Sequence, residues 1–365
     1  MSWKNDAIDG PHAICRRWLP ATPFQVRPLS GGGFSGSPVW RVDVLDGAGQ
    51  AAGRYVLKGL AAGWPLERGV AIHRLVATLR EAGLDAVPPQ LKLAPPGEGT
   101  IVADGEGRLW ELTEWRPGAP IAAPSTRQAT AALQTLARIH VAVSRADGGR
   151  EKLVGPAPAW GRRVEAIQAV LTRGWDDPPR SSPEWSPLQA AVAGRKRAAA
   201  AILRDRGGLP SLSRLASLSP PPVSLQLVLR DIWQAHVLFV EDRVSAVIDL
   251  HACGIDTPAA DLARLLGSWE IAGAEGGHRG PLTQAWQEPL EAYRAIRPLS
   301  SDEVWLVDRL HRAGVIGGLE HWFCWVLEEG RAFPDPTAVL ARIDFLLKNL
   351  DSILEQTDAG NGWLH

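Results

Sequence analysis

Regular alternation begins at Val39. From Val39 to Val44 apolar and polar side chains exchange faces, a DGAG turn follows, and RYVLKG forms a second run, so the spacing predicts two antiparallel strands ending near Lys58. Residues 64–83 change period. Val70, Ile72, Leu75, Val76 and Leu79 fall close to helical spacing, and Gly83 supplies a C-terminal cap. Residues 100–121 read as two strands around an Asp-Gly turn, closed by a Pro-Gly break. Helical periodicity then dominates over 126–144, 160–173, 187–205, 304–330 and 336–356, with a stretch rich in Pro, Gly, Ser and Arg over 146–222. One β signal interrupts it. VLFV (237–240) and VSAVI (244–248) flank a polar turn, the pattern of a hairpin. Strands first and helices after predict an α+β fold with a small antiparallel sheet and a mainly helical remainder.

Composition narrows this picture. A chain of 365 residues, 45% hydrophobic, exceeds what one core usually spans, which predicts two domains or one bilobal domain. A formal net charge of -1 gives nothing to attract a polyanion, so no nucleic-acid partner is expected. Cys15, Cys253 and Cys324 are far apart and odd in number, which fits reduced thiols. The first twenty residues lack the apolar core of a signal peptide, and no run of about 18 apolar residues occurs. A cytoplasmic protein with no membrane partner is expected. The sequence sets no oligomeric state.

The chemistry gathers at the ends of the expected hairpin. Asp231 stands before its first strand and Asp249 after its second, so the turn carries both carboxylates to one edge. Two such groups could bind a divalent cation and orient a hydroxyl nucleophile. Far upstream, Gly31, Gly33 and Gly36 have the spacing G-x-G-x-x-G. A dinucleotide fingerprint needs a helix after the glycines. A strand hairpin follows instead, which argues against a dinucleotide-binding oxidoreductase. A loop covering phosphates through its backbone amides and a plain surface turn both remain open. Lys58, at the second strand's end, is either a solvated charge or a phosphate ligand.

LVLRDIWQAHVLF followed by AVIDLHACGIDTPAADLARLL resembles the catalytic core of the aminoglycoside phosphotransferase and choline kinase group, relatives of the protein kinases. The resemblance implies a protein kinase-like bilobal fold, with a nucleotide-binding lobe over 1–115 and a catalytic, acceptor-binding helical lobe over 116–365. It further implies ATP and Mg2+ as cofactors, with Lys58 on the phosphates, Asp249 on the metal and Asp231 as catalytic base. Backbone groups of Glu114, Trp115 and Arg116 would meet adenine. Asp261 would cap the next helix and brace the catalytic loop, and His140 would be a buried structural residue. Four positions depart from the pattern. Leu229 and Arg230 replace a His-Gly pair. His236 replaces a metal-binding Asn, as a ligand better suited to Mn2+ or as a hydrogen-bond partner orienting Asp231. Gly69 stands where the small lobe's helix carries a glutamate, leaving Glu67 two residues away. Trp322 and Trp325 either pack in the core or floor an acceptor pocket drawn to ammonium groups. The function implied is ATP-dependent phosphorylation of a hydroxyl on a small polar metabolite or aminoglycoside-like molecule. The alternative is a catalytically impaired homologue that binds nucleotide or a partner.

Overall fold

A computed structural model describes residues 10–29, 34, 36–95, 97–146, 153–175, 185–270 and 283–355. The chain divides into two units. One comprises residues up to Ala119 together with Ser245–His251; the other comprises Pro120–Val244 and the chain from Ala252 onward.

In the first unit, a short helix α1 (Pro11–Cys15) precedes five strands: β1 (Phe24–Pro28), β2 (Val39–Leu45), β3 (Ala51–Gly59), β4 (Ile101–Ala103) and β5 (Leu109–Glu114). They form one antiparallel sheet in the order β1-β2-β3-β5-β4. Alternation explains it. Val42, Leu57 and Leu112 point to one face and are fully buried, packed with Ile14, Cys15 and Trp18. The helix α2 (Leu66–Glu81) follows β3 and ends as expected at Gly83, whose φ of 80° suits glycine and lets the Leu84 amide close on the Leu79 carbonyl at 3.0 Å. The segment Ser245–His251 is fastened to this unit by the Val247 amide, which donates to the Ala86 carbonyl at 2.7 Å.

The second unit is mainly helical. After β6 (Ala119–Pro120) come α3 (Thr126–Ala146), β7 (Leu153–Gly155), α4 (Pro158–Arg173), α5 (Pro187–Asp205), α6 (Gly208–Ser217) and β8 (Val223–Val228). Then follow β9 (Val237–Val240), β10 (Arg243–Val247), β11 (Gly254–Asp256), α7 (Pro258–Leu266), α8 (Gln287–Ile296), α9 (Ser301–Phe323) and α10 (Pro336–Glu355). The chain passes into the first unit within β10. β11, β8 and β7 make a small antiparallel sheet in that order. Helix starts follow local chemistry: Ser125 with Gln128, Ser186 with Gln189 and Ser300 with Glu303 each form a reciprocal capping box. α3 packs on α8, while α9 lies against α4, α7 and α10. The single helix expected over 304–330 instead loosens into a π turn at Cys324–Glu328. Among the described residues, no helix is long and apolar enough to cross a membrane.

Candidate functional site

In the first unit, Lys58 on β3 lies opposite Glu111 on β5 in the antiparallel register. Its ammonium donates to Asp249 Oδ1 at 2.7 Å, joining residues 191 apart in sequence. His251 Nδ1 also meets Asp249 Oδ1, at 3.0 Å, and its Nε2 reaches Glu111 Oε2 at 3.2 Å. The same Glu111 oxygen is held from the other side by His73 Nε2 on α2 at 2.6 Å, and His73 Nδ1 meets Thr100 Oγ1 at 2.6 Å. A continuous chain of contacts therefore runs from α2 through Glu111 to Asp249 and Lys58. Burial alone would neutralise these groups. The charges win: Glu111 would be raised by burial, but the His251 charge and hydrogen bonds from both histidines hold it at about 2. Burial likewise works against the His251 cation, yet Glu111 and the bond to Asp249 raise it to about 9.

The helix position that carries a glutamate in the resembled pattern is Gly69, buried where a Cβ would come within 2.7 Å of Ile101 Cδ1. Glu67 is exposed in the first turn of α2, a position that favours an acid through the helix dipole. The acid against Lys58 is thus Asp249. Sequence reasoning missed Glu111 and His73; the signal was the pairing of β3 with β5, which no local pattern encodes. The amides of Glu114 and Trp115 are both committed, to the carbonyls of Pro89 at 3.0 Å and Arg54 at 3.1 Å. Arg41 and Arg54 stack on the Trp115 ring. Gly36 has φ 68°, a left-handed turn before β2 that suits glycine, while Gly31 and Gly33 lie outside the described residues.

In the second unit, Asp231 follows β8 directly after Arg230, whose φ of 64° is costly for a residue with a side chain. Asp261 on α7 holds that turn. Its two oxygens accept the amides of Arg230 and Leu229, each at 2.7 Å, and His140 Nε2 at 2.9 Å. The Tyr293 hydroxyl completes the network on His140 Nδ1 at 2.7 Å. Asp261, His140 and Tyr293 are wholly buried, and burial pushes the Tyr293 phenol far up. The loop-bracing role read for Asp261 and the structural role of His140 both match this geometry. The helix cap is a different residue: the Thr257 hydroxyl accepts the Ala259 amide at 3.4 Å. Asp256, buried, is taken up by Arg162 and by the amides of Ala159 and Thr257.

Asp231 itself accepts from Arg264 Nη2, one turn beyond Asp261 on α7. His236 Nδ1 bonds the Asp231 carbonyl at 2.8 Å, so Nδ1 carries the proton and Nε2 accepts from Trp233 Nε1 at 3.0 Å. Both ring nitrogens are thereby engaged. Trp322 is buried and packs with Trp325 and Phe333, and the Trp325 face is covered by Arg331 at 4.5 Å. Arg264 and its neighbour Arg342 carried no motif in the sequence.

The model of the phosphotransferase enzyme family matches residues 25–299, about three quarters of the chain. The chain belongs to this family. Solved structures share its fold, with an antiparallel-sheet first part and a helical remainder. A spectinomycin phosphotransferase, solved with ADP and spectinomycin, superposes with a TM-score of 0.64 at 13% identity, over 95% of this chain and 97% of that one. An aminoglycoside phosphotransferase from Alicyclobacillus acidocaldarius gives 0.55 at 17% identity over 98% of both chains. An amicoumacin kinase, solved with AMP-PNP and Ca2+, gives 0.56 at 14% over 91% and 92%. Among curated relatives, a homoserine kinase of Afipia carboxidovorans is 32% identical over 119 residues, 33% of this chain, and the match spans only 35% of that kinase.

Proposed function

We propose that this phosphotransferase moves the γ-phosphoryl group of ATP to a hydroxyl of a small polar molecule. The observation that carries the reading is the Lys58–Asp249 contact, 2.7 Å between two groups that phosphate and metal binding both need. Lys58 neutralises phosphate oxygens. Asp249 would hold the divalent cation, which when bound spreads the charge of the phosphate oxygens. Among the described residues no group of three His, Cys, Asp or Glu could hold a metal ion alone. A single carboxylate fits Mg2+ on a nucleotide, because phosphates and waters supply the other ligands. With both His236 nitrogens engaged, we assign that residue to orienting Asp231 rather than to metal.

In the reaction the acceptor oxygen forms a bond to the γ-phosphorus while the bond from that phosphorus to the β,γ-bridging oxygen breaks, and ADP leaves with the electron pair. Asp231 takes the acceptor proton, positioned by Arg264 and by the braced turn behind it. Backbone and side chain are thus both fixed before substrate arrives. Calorimetric ATP titrations with Mg2+, with Mn2+ and without metal test the nucleotide half. Metal-dependent binding should be lost in Asp249→Asn, with no preference for Mn2+. Asp231→Ala should keep ATP binding and lower turnover by roughly 10²–10⁴-fold. No ATP binding under any condition would sink the reading. Binding without turnover in the wild type would instead mark a nucleotide-binding protein that is not an enzyme.

A further inference from the structure

Two arginines attend Asp231. Arg264 donates to its carboxylate, and Arg342 on α10 lies close enough to feel the charges of both Asp231 and Arg264. Arg342 lies over the rings of Trp233 at 5.4 Å and Phe345 at 5.1 Å, which fix its plane. Its Nη1, and Nε of Arg264, are buried and meet no acceptor among the described residues. A buried donor without an acceptor costs free energy, and two of them stand in this cluster. Two guanidinium groups against one carboxylate also leave a positive excess. Burial and the neighbouring Arg264 pull Arg342 down to about 10, where it stays charged at neutral pH.

The aromatic surfaces point the same way. An ammonium-bearing acceptor would need an uncovered ring, but Trp233 is covered by Arg342 and Trp325 by Arg331. It would also meet like charge. The side chains of Asp231 and Arg264 are 44% and 37% exposed, so these two members of the cluster are open to a small molecule. We propose that the acceptor alcohol also carries an anionic oxygen group, a carboxylate or a phosphate, which Arg342 and Arg264 bind while its hydroxyl faces Asp231. The guanidinium fork matches either group with paired hydrogen bonds. This inference rests on the reading of Asp231 as the acceptor's base.

Four probes test it: glycerate, glycerol phosphate, glycerol and aminopropanediol, which share a diol and differ in one substituent. Each is titrated calorimetrically into the full chain, as wild type, Arg342→Gln and Arg342→Lys. Glycerate or glycerol phosphate should bind at least about ten-fold more tightly than the other two, and their order tells carboxylate from phosphate. Arg342→Gln should abolish that preference, and Arg342→Lys should restore part of it, which separates lost charge from lost packing. Equal affinities, tighter binding of aminopropanediol, or no heat with either anionic probe overturns the proposal. ATP titration and ADP release on the same preparations distinguish the failures. Phosphoryl transfer to glycerol or aminopropanediol without an anionic preference leaves the kinase reading standing and removes this one, whereas absent ATP binding removes the kinase reading itself.

Discussion

At Glu111, burial and charge oppose each other. The carboxylate is almost wholly removed from water, which would raise its pKa, yet the His251 cation and two imidazole hydrogen bonds hold it at about 2 against an ordinary 4.5. A folded value below the unfolded one means stability that is fully present above about pH 4.5 and lost as the pH falls towards 2. Glu111→Gln keeps the size and removes the charge. At pH 7 the variant should be less stable by roughly 3–4 kcal/mol, since each pKa unit is worth about 1.4 kcal/mol. That gap should close as denaturant unfolding is repeated at lower pH, below about 4.5. A gap that stays constant down to pH 3 would assign the loss to packing. None of this was legible beforehand. Lys58 and Asp249 stand in strand contexts that the sequence displays, but Glu111 matters because of what β3 brings opposite it, and His73 because of the face α2 turns inward.

At the scale of elements, α7 does two jobs within three residues. Asp261 holds the backbone of the turn before Asp231, and Arg264 holds the Asp231 side chain. The left-handed Arg230 costs about 1–3 kcal/mol, and the two Asp261 bonds offset it. Capping and bracing can be separated by mutation. Thr257→Ala should cost about 1 kcal/mol through the helix start, with turnover near wild type. Asp261→Asn leaves one oxygen for three donors inside the core; it should cost about 3 kcal/mol and lower kcat, while ATP affinity is unchanged. Equal effects of the two variants on kcat would deny Asp261 its bracing role. The helix in TPAADLARLL was expected only through the family resemblance, with Asp261 in place of Thr257 as its cap, whereas α3 and α5 were readable because apolar side chains recur at helical spacing. The sheet of β7, β8 and β11 was not: strands of three residues, such as β7 and β11, are too short to establish a period. Nor was the π turn at Cys324, where helical periodicity continues through an altered backbone.

At the scale of the molecule, the first unit is discontinuous in sequence. Its sheet core, from Ile14 to Leu112, lies wholly before Ala119, yet two of the groups around Lys58 arrive from Ser245–His251. Folding and ligand binding in this unit therefore have separate sequence requirements. A fragment ending at Ala119 contains every strand of the five-stranded sheet. It should keep antiparallel secondary structure by circular dichroism but lose metal-dependent ATP binding, because it lacks Asp249, and His73 alone is left on Glu111. Joining Ser245–His251 to that fragment through a flexible linker should restore binding, and should raise stability through the Val247–Ala86 bond and the His251 charge. Carrying Asp249→Asn in the joined segment should restore the stability without the binding. If the bare fragment binds ATP as tightly as the joined one, Asp249 is not the group that holds the metal, and the phosphate site must be built from the sheet alone.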